Sequence, residues 1–157
     1  MIKLPSTQPL VIRQALSNDQ CQDIIKQLPE FTFTLKAKGK LVPGKWSENF
    51  INTQRIRLEE HTEEWIRELL GINKISTENN MYVCMYKKGD VCKSHVDPVQ
   101  YTILMTLNND YTGGELFVEE EHISLDTGDC VIFKGDTKHE VKKITDGMRW
   151  SLSIWLF

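Results

Sequence analysis

A chain of 157 residues with 19 Lys and Arg against 22 Asp and Glu carries a net charge of −3. That balance argues against a nucleic-acid partner, which favours a basic face, and no apolar run approaches the ~20 residues needed to cross a bilayer. With 40% hydrophobic and 26% charged residues, the chain fits a single domain over 1–157, long enough to bury a core without staples.

The N-terminal stretch MIKLPSTQPLVIRQ has two prolines and no sustained apolar segment, so no signal peptide is expected. Ser17 and Gln20 then have capping-box spacing. Ile24, Ile25 and Leu28 follow at helical spacing, and Pro29 ends the run. A second helix is predicted over Glu60–Leu70, where Trp65, Leu69 and Ile72 form a stripe and Gly71 suits a C-terminal cap. Between the helices, Ala37–Asn52 holds two glycines, a proline and several lysines. It reads as a long loop, either a lid over a site or plain surface. Within and after it, Trp46, Lys40, Lys45, Arg55 and Arg57 are candidates for substrate contact, against the alternative of solvated surface. Residues 1–79 are therefore expected to be helical support and loop.

From residue 80 onward the pattern changes to short β segments separated by turns. NMYVCMY, VCKSHV, YTILMTLN, ELFVE, HISL, CVIF, HEVKKI and MRWSLSIWLF alternate with turns such as KKGD, NDYTGG, DTGD and TDG. Such a series argues for an antiparallel sandwich or barrel, and a jelly roll is one such solution. The helices are expected on the outer face of one sheet. The overall class is mainly β with N-terminal helices.

Cys21, Cys84, Cys92 and Cys130 form no CxxC pair, which sets aside zinc-ribbon and thioredoxin-type motifs. They read as buried, reduced thiols of a cytoplasmic protein.

The stretch HVD is a weak motif alone. On a strand, however, residues i and i+2 share a face, so His95 and Asp97 can converge on one ion. Pro98 then ends the pairing. His139 opens another predicted strand. Two histidines and a carboxylate are the facial set that holds non-haem Fe(II) with positions left open. His61 and His122 lack such a setting; they read as helix surface and exposed strand.

Arg149 starts the last strand, sharing a face with Ser151, Ser153 and Trp155. An arginine on a buried face needs an anionic partner, and its planar fork suits a carboxylate. That partner could be a bound ligand or a structural Asp or Glu.

Tyr82–Phe157 resembles the catalytic core of the Fe(II)/2-oxoglutarate-dependent dioxygenases, prolyl-hydroxylase-like branch. The shared features run in order: YKKGD, HVD, TILMTLN, GGELF, DTGDCVIF, KHEV and RWSLSIW. The resemblance implies a double-stranded β-helix core over 80–157. It implies Fe(II) on His95, Asp97 and His139, and 2-oxoglutarate on Arg149, with Ser151 beside it and Tyr86 reaching the same cosubstrate. Trp155 would line the pocket. O2 is the third reactant, and ascorbate is allowed as an accessory. Some relatives carry a tyrosine on the strand after HxD; here the position is taken as Met105. Collagen-type members use lysine in place of Arg149, and nucleic-acid demethylases add a second arginine that RWSLSIW lacks. The implied activity is hydroxylation of a C–H bond in a peptidyl residue, a free amino acid or another small molecule, coupled to decarboxylation of 2-oxoglutarate. Asp97 fits hydroxylation, since halogenating relatives lack that carboxylate. The alternative from another class is a jelly-roll module that binds a metal or carboxylate without oxidising anything.

Overall fold

The computed structural model describes residues 4–26, 50–51, 54–57, 64, 67–68 and 81–157. The first element is strand β1 (Leu10–Ile12), followed by helix α1 (Asn18–Lys26). The capping box is formed in both directions. Gln20 N–H donates to Ser17 Oγ at 3.1 Å, and Ser17 N–H donates to Gln20 Oε1 at 2.9 Å. Most of the predicted loop at 37–52 and of the helix at 60–70 lies outside the described residues, as does His61. Within the latter, Glu64, Arg67 and Glu68 are helical.

Residues 1–79 supply more than helix and loop. Phe50–Ile51, expected as the end of the loop, forms β2, and Gln54–Arg57 forms β3. These segments are too short to show periodicity, and they become strands by pairing onto edges that longer strands already offer.

The remaining strands are β4 (Met81–Tyr86), β5 (Val91–His95), β6 (Tyr101–Thr106), β7 (Tyr111–Gly113), β8 (Leu116–Val118), β9 (Glu121–Ile123), β10 (Cys130–Lys134), β11 (His139–Val141), β12 (Ile144–Gly147) and β13 (Arg149–Leu156). They form a six-stranded sheet, β1-β10-β6-β13-β4-β3, facing a five-stranded sheet, β2-β5-β11-β8-β9. Every pairing is antiparallel, so the jelly-roll expectation holds. Two expected turns were drawn too long. Tyr111–Gly113 and Ile144–Gly147 pair with each other as a separate ribbon, β7 with β12. Gly113 and Gly147, both at positive φ, punctuate it.

Alternation on β13 divides the core in two. Leu152, Ile154 and Leu156 pack with Met81, Val83, Ile103, Met105, Cys130 and Ile132 on the outer side of the large sheet. There α1 covers them with Cys21 and Ile24, as expected for a helix on one outer face. Between the sheets, Cys84, Tyr86, Cys92, Val118, Val131, Phe133 and Val141 form a second cluster. The opposite face of β13 points to this inner side, bringing Arg149, Ser151 and Ser153 into it. All four cysteines are buried and free. Among the described residues no helix is long and apolar enough to cross a membrane.

Candidate active site

His95 and His139 are register partners across the β5–β11 pair. Val141 pairs with Cys92, so one residue of β11 opposes two of β5. This β-bulge turns Cys92 and His95, three positions apart, toward the same interior. The imidazole centroids lie 4.3 Å apart. Asp97, just past the end of β5, completes the group. Its Oδ1 is 3.5 Å from His95 Nε2 and its Oδ2 is 3.4 Å from His139 Nε2.

Backbone carbonyls orient both rings. His95 Nδ1 lies 2.7 Å from Lys93 O and His139 Nδ1 lies 3.0 Å from Thr137 O. With Nδ1–H committed to these carbonyls, each Nε2 faces the other ligands and is the nitrogen left to bind an ion. Cys92 Sγ sits 3.5 Å from His95 Nδ1. Thr102 donates its hydroxyl to Asp97 Oδ2 at 2.6 Å. The three candidate ligand atoms lie within 4.8 Å of one another. Donors about 2.1 Å from one ion at right angles stand about 3 Å apart, so small shifts would bring this set onto a single ion.

Charge is shared unequally. Burial opposes an imidazolium at His95, but Asp97, Cys92 and the Lys93 carbonyl together push its pKa up to about 10. Burial also dominates at His139 and, with the neighbouring His95, lowers its pKa against the pull of Asp97. Burial disfavours the Asp97 carboxylate as well, yet the two histidines and Thr102 hold it below the ordinary range. These influences favour an ionised Asp97 and bias the two imidazoles in opposite directions, His95 toward the charged form and His139 toward the neutral one. An incoming divalent cation would displace the His95 proton.

A pocket connects this group to Arg149, Ser151, Ser153, Tyr86 and Trp155. Arg149 is 3% exposed. Its Nε has no hydrogen-bond partner, and among the described residues no carboxylate pairs with it. Its guanidinium lies 5.1 Å from the Tyr86 ring centre. Such a buried, unpaired cation is costly unless an anion joins it. The pocket therefore has a His-Asp-His end suited to a cation and an arginine end suited to a carboxylate.

Residues 81–157 match the family model of the 2OG-Fe(II) oxygenase superfamily. Over those residues the chain is similar to that superfamily. In sequence it is 24% identical to a PKHD-type hydroxylase of Rippkaea orientalis, over 94% of this chain and 77% of that protein. In fold it is similar to a Pseudomonas putida prolyl-4-hydroxylase, with a TM-score of 0.65 and 20% identity over 94% of this chain and 90% of that one. It is also similar to a Trichoplax adhaerens prolyl hydroxylase solved with a hypoxia inducible factor oxygen degradation domain peptide fragment. There the TM-score is 0.69 at 18% identity, over 95% and 83% of the two chains.

Sequence reasoning placed His95, Asp97, His139, Arg149, Ser151, Tyr86 and Trp155 in one site, and all of them line this pocket of the oxygenase fold. Met105 does not. It is buried in the outer cluster, and the inward neighbour on β6 is Leu104. Thr102 and Cys92 were missed. Thr102 is the inward residue of β6 nearest Asp97, which alternation could have flagged; Cys92 is brought inward by a bulge that left no mark in the sequence. His122 is exposed on β9 as expected and stacks on Phe117.

Proposed function

We propose that this protein uses Fe(II), 2-oxoglutarate and O2 to hydroxylate a C–H bond of a peptidyl residue of the prolyl type. A free amino acid or another small molecule is the alternative substrate class. The observation that carries the reading is Arg149: a buried cation without an anionic partner among the described residues, in the same pocket as the His-Asp-His group. A protein that merely held a metal would have no use for it.

In this reading His95 and His139 bind iron through Nε2 and Asp97 through its carboxylate. The Lys93 and Thr137 carbonyls fix the tautomers, and Thr102 steadies Asp97. Arg149 takes the distal carboxylate of 2-oxoglutarate as a charge-assisted pair, with Ser151 and Tyr86 beside it. Iron with bound cosubstrate supplies the O2 chemistry that oxidises the substrate as 2-oxoglutarate becomes succinate and CO2. The chain's own contribution is to hold these partners a fixed distance apart and away from bulk water. Ascorbate as an accessory reductant, a cytoplasmic setting and the absence of a nucleic-acid partner belong to the same reading. The Trichoplax relative's peptide complex supports the peptide class.

The test is succinate formation with Fe(II) and 2-oxoglutarate across prolyl peptides and free amino acids. Succinate formed in step with a product 16 Da heavier supports the proposal. Tight metal binding with no 2-oxoglutarate consumption on any substrate would favour the non-oxidising module.

A further inference from the structure

Gly135 is buried in the turn between β10 and β11, four positions before His139. Its backbone lies against the Asp97 loop. Asp97 N–H donates to Gly135 O at 2.7 Å, and Gly135 N–H donates to Gln100 O at 3.0 Å. A Cβ at this position would stand 2.0 Å from Val99 O and 2.8 Å from Asp97 O. Its φ lies outside the left-handed range, so contact rather than conformation requires glycine here. The same turn is closed by Thr137 N–H donating to Lys134 O at 3.0 Å. Its Thr137 carbonyl is the one that orients His139. One short turn thus supports two members of the triad from behind, Asp97 through the Gly135 carbonyl and His139 through the Thr137 carbonyl.

We propose that Gly135 is a positioning residue for this centre: its missing side chain lets the β10–β11 turn lie against the Asp97 loop and so sets the separation of Asp97 and His139. The inference rests on the metal reading above. Cβ atoms essentially never approach a neighbour closer than 3.0 Å, and the site offers 2.0 Å, so Gly135→Ala must part the two segments by about 1.0 Å. Disturbing the outer groups of a metal site typically weakens metal binding about 10–100-fold.

Gly128 provides a harsher control for damage to the fold, since its φ of 88° adds backbone strain to a contact equally close. A Cβ there would also stand 2.0 Å from a backbone oxygen, that of Leu16, but on the outer, helix-covered side of the large sheet. The experiment titrates Mn(II) alone into wild type, Gly135→Ala and Gly128→Ala, counting free ion by electron paramagnetic resonance well below each melting point. Gly135→Ala should bind Mn(II) about 10–100-fold more weakly than wild type. Gly128→Ala should bind as wild type does even if it melts lower. Equal affinity of Gly135→Ala and wild type overturns the proposal, and so does equal weakening in both variants. Should Gly135→Ala fail to fold, amide exchange on the wild type decides. The Asp97 and Gly135 amides are expected to gain protection together when Mn(II) saturates the site, and unchanged protection overturns the idea. A wild type that binds no Mn(II) removes the metal reading, and this inference with it.

Discussion

Asp129 and Asp97 are both buried, at 2% and 5% exposure, yet their surroundings differ. Asp129 closes the DTGD turn and has donors for both oxygens. It accepts from Gln14 N–H at 2.8 Å, from Asp126 N–H at 2.9 Å and from Arg13 Nη1 at 2.7 Å. Burial opposes its charge, but these donors outweigh burial and lower its pKa. Asp97 has one hydroxyl donor from Thr102, one backbone support and two imidazoles at 3.4–3.5 Å, too long for good hydrogen bonds. The arginines differ in the same way. Arg13 is largely exposed and paired with Asp129, whereas Arg149 is buried and has no carboxylate partner among the described residues. Incomplete satisfaction of buried charge marks the region prepared for ligands, and complete satisfaction marks the region that holds the fold.

Breaking the unsatisfied region should abolish chemistry and spare stability. His95→Ala, Asp97→Ala and His139→Ala are each expected to reduce 2-oxoglutarate turnover to background, a loss of about a thousandfold or more. Melting temperatures should stay near wild type or rise, since functional groups are seldom optimal for stability. A variant that keeps full turnover would drop out of the triad. A chelator should silence the wild type, and Fe(II) should restore turnover where Zn(II), redox-inert, does not.

Breaking the satisfied region should do the reverse. Asp129→Asn removes charge from three hydrogen bonds and is expected to lower stability by about 2 kcal/mol, with turnover per folded molecule unchanged. The folded-state pKa of Asp129 is depressed, so its contribution is present above the ordinary value of 3.8 and fades as pH falls through the lower folded value. Urea titrations should therefore show the difference between wild type and Asp129→Asn at neutral pH and a shrinking difference under acid. A constant difference at all pH values would assign the loss to shape rather than charge.

A smaller effect is expected far from both regions. Glu119 and Glu120, at φ 51° and 67°, form the two-residue turn between β8 and β9. Such turns prefer Asn-Gly over side chains with a Cβ at positive φ. Glu120→Gly should raise stability by roughly 0.5–1 kcal/mol and leave metal and cosubstrate binding untouched. Thermal melts would settle it, and a lower melting temperature would show that the glutamate side chain compensates.

The legible parts of this molecule were those with short-range signals. Strand alternation placed Arg149, Ser151, Ser153 and Trp155 on one face and Leu152 on the other, and the HVD spacing put His95 beside Asp97. The Ser17–Gln20 box located α1. What stayed hidden depends on register and on contacts between distant segments. Cys92 faces His95 because of a bulge against β11. Leu104 rather than Met105 looks inward because β6 pairs with β10 and β13 in a particular register. Strands β7 and β12 carry glycines that read as turns, and each is a strand only because the other is present.

The central claim, that this pocket joins a metal end to a dicarboxylate end, is tested most directly by calorimetric titration of 2-oxoglutarate into anaerobic Fe(II)-loaded wild type and Arg149→Ala. A lost bidentate, charge-assisted pair at about 1.5–3 kcal/mol per bond corresponds to about a hundredfold or more in affinity. Wild type should bind 2-oxoglutarate at least that much more tightly, with Fe(II) affinity nearly equal in the two proteins and Arg149→Lys recovering only part of the loss. Equal 2-oxoglutarate binding by wild type and Arg149→Ala, or none by either, would contradict the account.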